Sequence, residues 1–195
     1  MVVITAEAVK ELRDQTGVSV MQCKKALEEA GGDREKAIEI LSRKSADVAR
    51  KKGDRALGAG CVASYVHGNA QVGTMVLLAC ETDFVSKNVE FATLAHDIAM
   101  HAAATRPDYI RRADVSEETI SGLNEMFAPE AAGKPEAIRP KVIEGKVNAR
   151  LAELVLMEQA FIKDDSKTIQ ALIDAASQKF GERIEVSKLA CFYVR

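Results

Sequence analysis

An acidic residue and a large aromatic residue stand side by side at Asp83 and Phe84, within the segment Thr82–Asn88. This segment follows the most apolar run of the chain, residues 72–80, whose composition predicts a buried strand. A helix pattern opens after it, and Asn88 is a suitable N-cap because its side-chain oxygen can accept from a first-turn N–H. Loops between rigid elements often carry function, so the pair is a candidate contact site for another molecule.

Two interpretations of this pair are open from the pattern alone. Phe84 can point outward toward a partner, with Asp83 beside it as a hydrogen-bond acceptor. Alternatively, Phe84 folds into the core of its own chain, as phenylalanine most often does, and Asp83 accepts from N–H groups of the loop. The exposure of the Phe84 side chain distinguishes the two.

The cysteines and histidines lack the spacing of a metal site. The cysteines are far apart and form no C-x-x-C pair, which favours reduced, buried thiols over zinc ligands or a disulfide; they are Cys23, Cys61, Cys80 and Cys191. His96 and His101 are five residues apart on a predicted helix, about 140° around its axis, so they cannot readily share one metal. We interpret them, and His67, as surface or core residues.

Patterns typical of catalysis are also missing. Asp164 and Asp165 resemble a general acid/base pair only superficially, because adjacent side chains in a turn point in different directions. Residues 58–63 match a loose G-x-G-x-x-A pattern, but a dinucleotide fingerprint follows a strand and opens a helix, and this one does the reverse. We predict that the chain is not an enzyme with covalent chemistry of its own.

Composition excludes several further classes. The 195 residues carry a formal net charge of −2, which argues against nucleic acid as the main partner because such binding needs clustered positive charge. No apolar run approaches the length of a membrane span, and the first residues lack a signal-peptide layout. We therefore expect a cytoplasmic protein that does not bind membranes.

Three short helices with glycine turns are predicted within about the first 45 residues. Each has a capping residue before its apolar stripe and a stop signal after it; the caps are Thr5, Ser19 and Asp33, and the stops include Gly17 and Gly31–Gly32. A bundle of this size is marginally stable alone. It is typical of a docking module on something larger.

A basic segment, Arg43–Arg55, follows the bundle and ends near Gly53. It can be a solvated linker, in part a helical tail, or a patch that meets an acidic protein or RNA surface. We favour the linker and place a domain boundary there, with a docking domain at residues 1–54 and a core at residues 55–195.

After the boundary the hydrophobic period changes from helical to two. The predicted strands are residues 61–67, 71–80 and 184–194, and the predicted helices cover about 89–104, 140–157 and 168–180, with another starting at Ser116. The last strand should return to the first two and complete an antiparallel sheet. The fold class is therefore α+β, a three-helix bundle followed by a sheet packed with helices.

Three ordered motifs carry a resemblance to a known family. They are L-R-D-Q-T-G-V-S-V-M-Q-C-K-K-A-L at residues 12–27, E-T-D-F-V-S-K-N at residues 81–88 and E-Q-A-F-I-K-D-D-S-K at residues 158–167. Together they resemble bacterial elongation factor Ts, over essentially the whole chain. The sequence departs from the common pattern of that family at Val20, Gln22 and Ala160, and Pro140 interrupts a segment that is usually continuous helix.

The resemblance implies a guanine-nucleotide exchange factor for elongation factor Tu, with an N-terminal ubiquitin-associated-like bundle. Carried over by position, Thr82, Asp83, Phe84 and Val85 would enter near the magnesium site of the partner, and Arg13, Val20 and Met21 would dock on its nucleotide-binding domain. The metal belongs to the partner, so no cofactor is expected on this chain. Longer members of the family carry a duplicated core and this sequence shows one copy, so the resemblance also implies a homodimer. An adaptor without exchange activity and an RNA-binding role for Arg43–Arg55 are the alternatives.

Overall fold

The computed structural model describes residues 4–51, 53 and 55–194. The helices with their bounds are α1 Ala6–Thr16, α2 Val20–Glu29, α3 Arg34–Lys51, α4 Asp83–Ser86, α5 Val89–Thr105, α6 Glu117–Ala131, α7 Arg139–Leu154 and α8 Ile169–Phe180. The strands are β1 Ala59–Val66, β2 Val72–Cys80, β3 Ala160–Phe161, β4 Asp164–Thr168 and β5 Ile184–Tyr193. Short 3₁₀ turns lie at Arg112–Asp114, Glu136–Ile138 and Leu156–Glu158. The α+β class predicted from the sequence is confirmed.

The first three helices form the predicted bundle, and their ends follow from local chemistry. The Thr5 hydroxyl oxygen accepts from the Ala8 N–H at 3.2 Å and starts α1. Gly17 ends it with a left-handed φ of 68°, its N–H donating to the Arg13 carbonyl at 2.7 Å. The core of the bundle is apolar, and its buried members are Val9, Leu12, Val18, Cys23, Ala26, Leu27, Ala37 and Leu41.

Helix α3 extends farther than the bundle alone requires. It continues to Lys51 because helix-forming Arg, Lys and Ala residues follow one another up to Gly53. Much of the basic segment is therefore helical, whereas Lys52 and Asp54 lie outside the described residues. The predicted boundary between residues 54 and 55 falls on this undescribed stretch and stays a prediction.

Contacts divide the chain into two compact units. The first comprises Met1–Ala63, Leu77–Ala95 and Gln170–Ser187, and the second comprises Ser64–Val76, His96–Ile169 and Lys188–Arg195. The bundle therefore belongs to the same unit as the end of β2, the start of α5 and most of α8.

The main sheet has the order β1-β2-β5, so the last strand does return to the first two as predicted. Register in the second unit is given by His67 N–H donating to the Val72 carbonyl at 2.9 Å and Val194 N–H donating to the Gln71 carbonyl at 2.8 Å. In the first unit, a Cβ added to Gly60 would lie 2.5 Å from the Leu78 carbonyl oxygen. This glycine serves close strand pairing, which agrees with rejecting the dinucleotide pattern.

Several boundaries differ from those expected. Helix α7 includes Pro140 in its first turn, where the missing N–H costs nothing, and ends at Leu154 rather than near Met157. Helix α6 contains Pro129 in its last turn. The polar stretch from Asp164, expected as a turn, is strand β4, which pairs antiparallel with β3.

Among the described residues, none of the helices combines the length and the apolar composition that crossing a bilayer would need. The cytoplasmic location stays a prediction.

Candidate functional site

The segment Thr82–Asn88, called the tip below, presents an aromatic side chain to solvent. Phe84 is 83% exposed, whereas the next residue, Val85, is 3% exposed. Both lie on α4, a single turn between β2 and α5 that the sequence did not predict. The outward interpretation of Phe84 is therefore the one the fold adopts, and Val85 anchors the turn from within. Because the Val85 side chain is buried in its own chain, the exposed surface of the turn is formed by its neighbours.

The acidic member of the pair is held by a lysine of the same tip. Lys87 Nζ lies 2.6 Å from Asp83 Oδ2, and both side chains are 75% exposed. The hydrogen bond and the positive charge of Lys87 lower the pKa of Asp83 below its ordinary value. Asp83 is therefore an ionised, solvent-facing acceptor beside an exposed ring.

Both ends of the tip are fixed by hydrogen bonds. At the far end Asn88 Oδ1 accepts from the Glu90 N–H at 2.8 Å, which confirms its predicted capping of α5. At the near end the Glu182 carboxylate accepts from the backbone N–H groups of Glu81 and Thr82. Glu182 lies between α8 and β5, about 100 positions later in the chain. Sequence reasoning missed it, because nothing local marks a glutamate as the partner of so distant a loop.

The three predicted docking residues all lie on the surface of the bundle. Met21 is 69% exposed, Val20 is 53% exposed, and Arg13 is exposed as well. Arg13 and Val20 line a hollow of about 320 Å³, whose other lining residues are Ile4, Ala6, Val9, Lys10 and Lys24. An apolar floor with a cationic rim suits an amphipathic, acidic surface. Lys10 and Lys24 were not predicted, although spacings of three residues from Arg13 and four residues from Val20 put them on the same helix faces as those predicted residues.

The remaining candidate residues have structural partners. His101 is buried, and its Nε2 lies 2.9 Å from Gln159 Oε1. His67 and His96 both pack against the Tyr65 ring. Within the described part of the chain, no cluster of three or more His, Cys, Asp or Glu residues could hold a metal.

The thiols and the adjacent aspartates are equally unpromising for catalysis. The four cysteines, all within the described residues, are free. Burial, and after it the charge of Glu182, raises the pKa of Cys80 to about 11, so this thiol stays protonated near neutral pH. Asp164 Oδ2 pairs with Lys167 Nζ at 2.7 Å, which suits a structural role in β4.

One face of the sheet in the second unit is apolar and exposed. Alternation along the strands places four side chains on this face, and they are Val66, Met75, Phe192 and Val194. The Val66 side chain approaches within 3.8 Å of the position a Cβ would take on Gly73, the residue opposite it. A contiguous patch of large apolar residues on a sheet is typical of a protein interface.

Comparison with known proteins agrees with the motifs. The family described as Elongation factor TS matches residues 8–195. Elongation factor Ts of Thermosipho melanesiensis is 47% identical over 193 residues, covering 98% of each chain. The protein of that name from Desulforamulus reducens is 46% identical over 96% of this chain and 88% of its own. That of Thermotoga petrophila is 42% identical over 98% and 96%. The matching family, the three-helix bundle and the tip together establish that this chain belongs to the elongation factor Ts family.

Proposed function

We propose that this chain is the guanine-nucleotide exchange factor for elongation factor Tu in protein synthesis. It would bind the GDP-bound GTPase, perturb its magnesium and phosphate site and promote GDP release. The observation that carries the proposal is the exposed Phe84 ring on a short turn whose two ends are fixed. Membership of the elongation factor Ts family supports the partner. The metal in this scheme is the partner's, and the chain itself would carry no cofactor.

The proposed activity requires that the binding of nucleotide and the binding of exchange factor to the GTPase be coupled. Nucleotide and exchange factor weaken each other's binding by the same factor, because coupling between two sites is reciprocal. A shift of about 10⁴-fold needs about 5.5 kcal/mol of differential binding. Complete burial of a phenylalanine side chain contributes about 1.5–3 kcal/mol. Phe84 alone therefore cannot supply the coupling, and a polar contact from Asp83 and other surface must add to it.

The tip and the bundle would have different roles. Only contacts that differ between the nucleotide-bound and nucleotide-free partner shift the equilibrium between them. The tip would make such contacts by inserting Phe84 between elements of the GTPase near the magnesium site, with Asp83 accepting hydrogen bonds in the displaced arrangement. Arg13, Val20 and Met21 would bind both states and raise affinity. Thr82 and Val85 would hold the turn.

Stimulated GDP release from elongation factor Tu tests this division. We expect Phe84→Ala and Asp83→Ala to lower the maximal release rate at saturating factor, with little change in the half-saturating concentration. The double variant Arg13→Ala, Met21→Ala should instead raise the half-saturating concentration. Met126→Ala is a matched control, because it removes another large exposed apolar side chain from a different surface. Full activity of Phe84→Ala would contradict the insertion mechanism.

We also propose that two copies of the chain associate through the exposed sheet face of the second unit. The exposure of four large apolar side chains on this face supports the association; they are Val66, Met75, Phe192 and Val194. Two such faces packed against each other would form a sandwich of the kind that buries apolar sheet faces.

The structure offers less support for RNA binding by the basic segment. Two of its cations within the described residues are already paired with carboxylates. Lys44 Nζ lies 2.6 Å from Glu29 Oε2, and Arg50 Nη2 lies 3.0 Å from Asp47 Oδ1. Such pairing reduces the unpaired positive charge of the segment that could attract phosphates.

A further inference from the structure

We propose that Glu182 is a positioning residue for nucleotide exchange, which holds the tip in the direction that presents Phe84. This inference rests on the proposed function. Glu182 Oε2 accepts from the Thr82 N–H at 3.0 Å and from the Glu81 N–H at 3.1 Å, and Glu182 Oε1 accepts from the Thr82 hydroxyl at 2.5 Å. One carboxylate therefore fixes the last two residues before α4.

The way α4 begins shows why a distant carboxylate is needed. Threonine at an N-cap ordinarily accepts from a first-turn N–H, but within the described residues the Thr82 side chain makes no such bond and donates to Glu182 instead. In a capping box the third helical residue is Glu or Gln, and its side chain accepts from the N-cap N–H. Here that position is Val85, which is buried. Glu182 takes the place of the missing capping-box acid.

A capping acid from a distant part of the chain leaves position 85 free for a buried apolar residue. If position 85 carried the capping acid, the turn would lose its one buried apolar anchor. With the acid supplied by Glu182, Val85 can point inward while its neighbour Phe84 stays 83% exposed. The two requirements of the tip, an anchored backbone and a free ring, are met by residues from two separate parts of the sequence.

A second carboxylate reinforces the same junction. Glu81 Oε1 accepts from the Arg183 N–H at 2.5 Å and lies 3.2 Å from Arg55 Nη1. The Arg183 guanidinium in turn donates to the Arg55 carbonyl at 2.6 Å. The Glu182 carboxylate therefore accepts from the backbone N–H groups of residues 81–82, and the Glu81 carboxylate accepts from the backbone N–H of Arg183. Charge-assisted bonds of this kind are stronger than neutral ones.

The first test is the mobility of the tip, measured on the whole chain without the partner. We expect Glu182→Ala to accelerate amide hydrogen exchange at Glu81 and Thr82 by at least about tenfold, the factor that follows from losing one charge-assisted hydrogen bond. Amides in the middle of α8 should be unaffected. Glu182→Gln keeps one acceptor oxygen for the two N–H groups and should restore most of the protection. Equal rates of amide hydrogen exchange at Glu81 and Thr82 in Glu182→Ala and in the unsubstituted chain would overturn the proposal.

The second test is stimulated GDP release. We expect Glu182→Ala to lower the maximal rate about tenfold while the half-saturating concentration changes less than about threefold, and Glu182→Gln to recover most of the rate. Because Glu182 acts through the ring, the double variant Glu182→Ala, Phe84→Ala should be no slower than Phe84→Ala alone. Multiplicative losses in the double variant would overturn the proposal. Glu39→Ala, which removes an exposed carboxylate of α3, is the matched control.

The variant Thr82→Val and the comparison of Phe84→Ala with Glu182→Ala separate the role of Glu182 from misfolding and from failure of the proposed function. Thr82→Val removes only the hydroxyl bond and keeps both backbone bonds, so it tests the same contact if Glu182→Ala fails to fold; we expect a smaller loss of maximal rate in the same direction. Its full activity would then overturn the proposal. Phe84→Ala can retain full GDP release while Glu182→Ala still accelerates amide hydrogen exchange at the tip. In that case the proposed function fails, but the conclusion that Glu182 holds the tip stands.

Discussion

Lys87 Nζ lies 2.6 Å from Asp83 Oδ2, four residues away on the same exposed turn. The carboxylate that is proposed to contact the partner is therefore already paired in the free chain. To bind a new donor, Asp83 must give up or share this lysine.

This pair predicts a change in the titration of Asp83. The hydrogen bond and charge of Lys87 lower the pKa of Asp83, so Lys87→Ala should raise it toward the ordinary value of 3.8. The carboxyl carbon shift of Asp83, followed by NMR as pH falls, measures this. Asp164, whose pKa is lowered by Lys167 and Ser166, should titrate unchanged in the same variant. An unchanged midpoint at Asp83 would contradict the pairing.

Substitutions at two adjacent residues of the tip should differ in their effect on stability. Val85 is buried, so Val85→Ala should reduce the free energy of unfolding by about 1–3 kcal/mol, through lost burial and the cavity left behind. Phe84 is exposed, so Phe84→Ala should change it by less than about 0.5 kcal/mol. Urea denaturation of both variants makes the comparison. Equal losses would show that the ring packs against its own chain.

The buried His101 predicts a loss of stability on mild acidification. Burial lowers the pKa of His101 from its ordinary value of 6.5, because the charged ring is poorly solvated inside the second unit. The unfolded chain then takes up this proton first as pH falls. Stability contributed by the neutral ring is full above pH 6.5 and decreases below it.

The variant His101→Gln removes this titration. We expect it to be less stable than the unsubstituted chain at pH 7.5, through lost packing, but to show a flatter dependence of the unfolding free energy on pH between about 6.5 and 5. Denaturation at a series of pH values gives both quantities. Parallel curves for the two proteins would rule out His101 as the source of the slope.

The exposed sheet face predicts an association that depends on its apolar character. Phe192→Lys places a charge within the proposed interface, where burial without a partner is costly. We expect sedimentation to give a dimer for the unsubstituted chain and a monomer for Phe192→Lys at the same concentration. Met126→Lys, at an exposed apolar position of α6, should leave the mass unchanged. A monomeric unsubstituted chain would contradict the proposal.

Features that depend on short stretches of sequence were predictable. Thr5, Ser19 and Asn88 were identified as caps because a capping bond joins residues two or three apart. The strands β1, β2 and β5 followed from their apolar runs. The exposure of Phe84 was not predictable from pattern, because the same composition suits a ring turned inward.

Features that depend on distant contacts were not predictable. Strand β4 carries mostly exposed polar residues, so it lacks the alternation that marks a strand, and only its pairing with β3 defines it. Helix α6 passes through Pro129, although a proline usually ends a helix.

The order in which the chain is synthesised gives the Glu182 contact a further meaning. A ribosome making this protein completes the residues of the tip long before it reaches the carboxylate that fixes them. A nascent chain would thus carry the Thr-Asp-Phe-Val sequence without the geometry proposed to act on the GTPase, and would acquire that geometry only after the 100 further positions that separate Thr82 from Glu182 have been made.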